Sequence, residues 1–165
     1  MDNMNTASLV VVGSGIKFLS HLTHEAKIYI TQSDQVLYLV NDPAMKELIK
    51  TLNPKSQSLD SLYMKCDSRL DSYNAIADFI LETVRQNKHV CVVLYGHPCV
   101  FAQPALNAAI QTKKEGIDTK ILPGISALDC LFSDLLINPA SHGCQMFEAT
   151  DFLIYNRALR DFLEG

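Results

Sequence analysis

Short β-rich runs alternate with longer helical ones along the whole chain, each closed by recognisable turn residues, and this order restricts the fold more than any other feature. SLVVVGSG, Ser8 to Gly15, reads as a buried strand closed by a Gly-Ser-Gly turn, followed by a helix that Thr23 caps through Glu25 to Thr31. QVLYLVNDP, Gln35 to Pro43, is a second strand. It gives way to a helix with Asp42 at the N-cap and Pro43 at its first position, running through Met45, Leu48 and Ile49 to about Leu52. Ser56 to Leu59 reads as a short edge strand, and from Ser68 to Asn87 the apolar residues Ala75, Ile76, Phe79, Ile80 and Val84 recur at helical spacing. HVCVVLYG is the fourth strand, Pro104 to Glu115 a helix, DTKILPG the fifth strand and Ser126 to Leu135 a further helix. Crossovers long enough to be helical predict an α/β fold, a mostly parallel five-stranded sheet with helices on both faces. With 165 residues, 48% of them hydrophobic, the chain suffices for one core, so a single domain over 1–165 is expected.

Charge and cysteine usage narrow the partners. A net charge of −4 with no run of basic residues speaks against a phosphate backbone, so nucleic acid is not an expected ligand. No apolar stretch reaches transmembrane length, and Met1 to Ser8 is polar without the charged start of a secretory signal, so no membrane partner and a cytoplasmic location are expected. Cys66, Cys91, Cys99, Cys130 and Cys144 are odd in number and scattered, with no C-x-x-C pair. They read as reduced thiols, most of them core filler.

In parallel sheets ligands bind beyond the carboxyl ends of the strands, which puts GSG, YGHP and LPGISA on one rim. The first turn is not a full G-x-G-x-x-G, because Phe18 stands where the third glycine belongs; Asp34 lies before the second strand, where a dinucleotide site puts its acidic residue at the strand's end, and Asp42, the cap of the next helix, fits that position no better. Pro98 after His97 stiffens the second turn, so backbone groups on both sides are expected to point into the crevice and hold an adenosine-bearing ligand largely by main chain. Apart from His21 and His24, the histidines show no ligand spacing, and no metal is expected.

VVGSG, YGHPCVFAQP and LPGISALDCLFSDL, in this order and at these separations, resemble the tetrapyrrole-methylase superfamily of S-adenosylmethionine (SAM) dependent methyltransferases. GHP in place of the more usual GDP, and the stretch GCQMFEATDFLIY, resemble the borosin enzymes, which methylate peptide backbone amides. The resemblance runs from Leu9 to Tyr155 and implies the N-terminal domain of that fold, with SAM as donor and S-adenosylhomocysteine as product. The matching donor-binding positions are Tyr95, His97, Val100, Phe101, Ala102 and Ser126. A sulfonium is already a good leaving group, so the protein's part is orientation and electrostatics.

Arg69 and Tyr73 lie four apart on the long helix and share a face, with Tyr63 shortly before them. Such a pair is either an ordinary polar contact on a solvated face or a tyrosine whose phenolate form a nearby positive charge favours. The resemblance implies the second: Arg69, Tyr73 and Tyr63 match the borosin catalytic positions. Tyr73 would be the general base, Arg69 its electrostatic activator, and Tyr63 with Tyr95 the partners of the amide oxygen.

Members of the superfamily carry a second α/β domain forming the other wall of the donor site, and this chain ends at Gly165 without it. The expectation is a truncated methyltransferase or a single-domain relative completed by association, most simply as a homodimer whose helix around Ala75 to Val84 interlocks two copies. ALRDFLEG is too short and charged to be the apolar peptide that fused borosins methylate in themselves, so the substrate is expected to be a separate precursor peptide, as in the split bacterial type. A methyltransferase of the same fold acting on a tetrapyrrole or other small molecule, and a non-catalytic SAM-binding or interaction module, remain the alternatives. Cys99 stands where the family usually has glycine.

Overall fold

The computed structural model describes residues 7–64, 68–86, 88–100, 102–141 and 143–154. Five strands, β1 (Ser8–Gly13), β2 (Gln35–Leu39), β3 (Ser56–Ser58), β4 (His89–Leu94) and β5 (Asp118–Leu122), form one sheet in the order β3-β2-β4-β1-β5, and every pair is parallel. The helices are α1 (His24–Gln32), α2 (Pro43–Leu52), α3 (Asp60–Met64), α4 (Arg69–Arg85), α5 (Gln103–Lys114), α6 (Ala127–Leu135) and α7 (Ala149–Ile154). The chain divides into two compact units, Met1–Ala127 with the sheet, and Leu128–Gly165. In the second unit the rings of Phe147 and Phe152 lie 5.6 Å apart, while Leu135, Leu153 and Ile154 are exposed.

Alternation along the strands assigns the two faces of the sheet. Leu9, Val11, Leu37, Val90, Val92 and Leu94 pack with Ile76, Ile80 and Val84 of α4 and Ala105 and Ala108 of α5. Val10, Val12, Val36, Tyr38, Cys91 and Val93 pack with Ala26 and Ile30 of α1 and Met45 and Ile49 of α2. The sheet is therefore covered on both faces, as its near-continuous apolar strands require. Ile80 has no exposed surface, and its truncation to alanine is expected to lower stability by about 3 kcal/mol, read by urea unfolding. The same packing corrects the expected dimer seat: Ile76, Ile80 and Val84 already cover the protomer's own sheet, so this face is not free to interlock two copies.

Local chemistry sets the element ends. Thr23 Oγ1 accepts from the Ala26 amide at 3.1 Å and Asp42 Oδ1 from the Ala44 amide at 2.8 Å, the two caps that the residue types predict. The expected strands run too far, since the second, fourth and fifth stop at Leu39, Leu94 and Leu122, before their turn residues. α3 is unexpected; Ser58 Oγ accepts from the Asp60 amide at 3.1 Å and starts a turn of helix too short to leave an amphipathic pattern. α7 is likewise unexpected. Asp34, at the amino ends of the strands, accepts from the His89 amide at 2.9 Å and so belongs to the rim opposite the ligand end.

Among the described cysteines only Cys91 is buried, and burial pushes its thiol up to about 12; Cys99 and Cys144 are exposed and Cys130 is half-buried. The expectation that most cysteines fill the core is thus corrected, and Cys66 lies outside the described residues. At the ends of α4 and α5, Arg85 Nε donates to Glu115 Oε2 at 3.0 Å and its Nη2 to Oε1. The Arg85 bonds, with one from Gln111, hold the Glu115 carboxyl at about 2, below its ordinary 4.5. A depressed folded-state value makes this contribution complete above the ordinary carboxylate range and lost as pH falls through about 2. The stability gap between wild type and Glu115→Gln is therefore expected to narrow on acidification below pH 4.5, measured by denaturation at fixed pH values.

Candidate functional site

β1 and β4 are neighbours, yet the helices that follow them, α1 and α5, pack on opposite faces of the sheet. This divergence opens a crevice beyond their carboxyl ends, the place where parallel α/β sheets take ligands. Its base is a junction of three turns. Gly15 and Gly96 exchange both backbone hydrogen bonds, N to O at 3.2 and 3.1 Å, in an antiparallel bridge between the β1 and β4 turns. Both hold φ near +71°, which glycine alone adopts without strain. A Cβ on Gly13 would lie 2.2 Å from the Gly96 carbonyl and 3.0 Å from Gly124 Cα, and one on Gly124 would lie 2.5 Å from the same carbonyl. The third turn is thus packed backbone to backbone against the other two.

On this base stand the side chains expected at the donor site. Tyr95 is exposed, His97, Val100 and Ala102 are half-buried, and Ser126 is buried. Phe101 lies outside the described residues. Pro98 occupies the second position of a turn in which the His97 carbonyl accepts from the Val100 amide at 3.1 Å. His97 Nδ1 accepts from the Cys99 amide at 3.0 Å, which requires its ring proton on Nε2 in the neutral form and leaves that edge as a donor. The amide part of the expected main-chain reading is narrowed here. The amides of Tyr95, Gly96, Cys99 and Val100 are all bonded within the protein, so these four donors are not available to a ligand.

α3 follows β3, and α4 leads into β4, so α3 and the first turn of α4 also lie at the carboxyl ends of the strands. There Arg69 Nε donates to Tyr73 Oη at 2.8 Å, with the guanidinium carbon 5.4 Å from the ring centroid. The rings of Tyr63 and Tyr73 are 6.4 Å apart and tilted, so all three expected residues cluster. Ser72, which carried no signal in the sequence, holds the cluster: its hydroxyl, buried, donates to the carbonyls of Tyr63 at 3.1 Å and Ser68 at 3.2 Å and ties α3 to the start of α4. Chemically the cluster places a fixed positive charge on a tyrosine oxygen, with a second phenol beside it and limited burial, as Tyr63 is 43% exposed. Among the described residues no group of three His, Cys, Asp or Glu is placed to hold a metal ion.

Residues 8–163 match the tetrapyrrole (corrin/porphyrin) methylases as a family. The chain belongs to that family. Within it, the chain is 41% identical over 152 residues to the methyltransferase/ribosomally synthesized cyclic peptide lentinulin A precursor of Lentinula edodes, covering 92% of this chain and 36% of that protein. It is 43% identical over 150 residues to the dendrothelin A precursor of Dendrothele bispora (91% and 36%), and 42% identical over 157 residues to the type I borosin cyclic peptide precursor of Coprinopsis marcescibilis (95% and 40%). The chain spans little more than a third of the length of these curated relatives. Solved tetrapyrrole-methylase-like structures share the fold: a diphthine synthase at TM-score 0.63 and 17% identity, covering 83% of this chain and 52% of that one, and the uroporphyrin-III-C-methyltransferase of Thermus thermophilus at 0.59 and 18%, covering 81% and 54%.

Proposed function

We propose that the chain is the donor-binding and amide-activating part of a SAM-dependent methyltransferase acting on backbone amide nitrogens of a peptide supplied as a separate molecule. The observation that carries this reading is the Arg69 to Tyr73 hydrogen bond, at the ligand end of the sheet. The similarity to methyltransferase/cyclic peptide precursors over more than nine-tenths of the chain supports it.

The lining fits the donor. Tyr95, His97, Val100, Ala102 and Ser126 include no carboxylate, ammonium or guanidinium group and combine apolar surface with a few polar atoms, which suits a nucleoside that carries its own charges. Bound there, SAM supplies an electrophilic methyl group and needs no metal to do so. The protein's task lies on the acceptor side, because an amide N–H is a very poor nucleophile until its proton is removed or its imidate-like form is stabilised. Tyr73 Oη, its own proton passed to solvent, takes the amide proton and returns to the phenol. Arg69 Nε, which can only donate, keeps that oxygen in its proton-accepting role and offsets the charge on the phenolate. Tyr63 and Tyr95 donate to the amide oxygen as negative charge develops on it.

Isothermal titration of SAM and S-adenosylhomocysteine into the protein tests the donor half of this reading, with micromolar affinity expected. Incubation with SAM labelled on its methyl group and a synthetic apolar peptide tests the acceptor half, with label expected on backbone nitrogen by fragmentation mass spectrometry. Donor binding with label appearing only on a tetrapyrrole would replace the substrate. No donor binding by the folded chain would leave a non-catalytic module. Association of two copies is part of the proposal, and mass in solution measured with and without donor tests it.

A further inference from the structure

The loop after β1 contains an arrangement that methyl transfer does not use. The amides of Ile16 and Lys17, consecutive in the chain and next to the Gly-Ser-Gly turn, both donate to His21 Nδ1 at 3.2 Å. Two successive N–H groups converging on one point form a concavity that ordinarily takes an anion, and in nucleotide-binding α/β sheets the phosphate sits at the turn after the first strand. Here the convergence point is filled by a nitrogen of the same chain. The loop is wrapped around that ring: the His21 amide donates to the Lys17 carbonyl at 3.2 Å, the Ser20 amide to the Phe18 carbonyl at 2.7 Å, and Leu19 holds φ at 61°. Gly15 lies directly against it, since a Cβ there would be 2.1 Å from the Cβ of His21.

We propose that His21 is a specificity-determining residue, a built-in occupant of the amide pair at the β1 turn that denies this position to phosphate and leaves the crevice to nucleosides without one. An acceptor lone pair on Nδ1 places the ring proton on Nε2, and the two amides share that one lone pair as a three-centre hydrogen bond. A phosphate entering here would have to displace two hydrogen bonds and the loop closed over them. The inference goes beyond the methyltransferase reading, because it rests on the turn's own hydrogen bonds and its readouts involve no methyl donor.

The test uses the full chain as wild type, His21→Ala and His21→Asn, with inorganic phosphate as the probe and amide NMR as the readout. In the wild type, phosphate is expected to leave the Ile16 and Lys17 resonances unmoved. In His21→Ala these amides are expected to exchange with solvent up to about tenfold faster, as the loss of one hydrogen bond allows, and to shift saturably with phosphate. His21→Asn, whose side-chain oxygen is an acceptor at a similar reach, is expected to restore slow exchange and remove the phosphate response. A folded His21→Ala with wild-type exchange and no phosphate response overturns the proposal, as does a wild type that binds phosphate at these amides. Should His21→Ala not fold, the wild-type imidazole decides: nitrogen shifts near neutral pH must show Nδ1 without a proton, and a proton there overturns the assignment.

Discussion

The Tyr73→Phe variant is expected to lose methyl transfer by roughly a hundredfold to ten-thousandfold, the range that a positioned general base contributes, while its affinity for SAM stays within a few fold. The substitution removes one oxygen and leaves the ring, so the packing against Tyr63 is retained. What disappears is the atom to which Arg69 Nε donates at 2.8 Å. A loss confined to turnover, with peptide and donor binding kept, is the behaviour of an interaction made in the transition state. The comparison that sharpens it is Arg69→Lys, which keeps a positive charge but loses the planar donor geometry, and should fall between wild type and Tyr73→Phe. Transfer by Tyr73→Phe at near wild-type rate, followed by methyl incorporation under single-turnover conditions, would remove Tyr73 from the base role. The pair would then be a polar contact on a solvated helix face.

Gly13→Ala is expected to cost the fold about 3 kcal/mol, at the upper end of what added core atoms cost. The added Cβ would meet the Gly96 carbonyl at 2.2 Å, Gly124 Cα at 3.0 Å and Pro98 Cδ at 3.0 Å. Two of these are backbone atoms of other turns, and the Gly15 to Gly96 bridge holds one of them from the far side, so the clash cannot be relieved by a rotamer change. The turns must separate instead, and donor affinity is expected to fall at least about tenfold with them, since the crevice stands on this junction. Gly116→Ala is the control. Its φ of +75° strains an alanine but nothing lies within 4 Å of the added carbon, so about 1 kcal/mol is expected with donor binding unchanged. Urea unfolding and SAM titration of both variants separate space from conformation; equal effects in the two would mean that the three-turn contact does not matter.

Pattern alone carried the architecture. Apolar runs such as Leu9 to Val12 and Val90 to Leu94 leave no choice but strands buried on both sides, and the helical spacing of Ile76, Ile80 and Val84 supplies the cover for one of them. Asp42 before Pro43 and Thr23 before Ala26 are caps because their oxygens reach the orphan amides of the very next turn, a contact set within a few residues. Arg69 and Tyr73 were legible for the same reason, four apart on one helix. Only the tertiary structure decided what depends on chain segments far apart. That Gly13, Gly96 and Gly124 touch one another follows from the strand order, in which β4 and β5 flank β1, and no local spacing encodes it. Ser72 acquires its role only because α3 lies beside α4, and Asp34 is placed at the far rim by the amide of His89. The amides near Tyr95 looked available in the sequence because a turn rich in glycine and proline leaves its N–H groups unassigned; folding assigned them to Leu39, Gly15 and the His97 ring. Local chemistry is written in neighbouring residues, whereas the closing of a site is a property of which strands lie side by side.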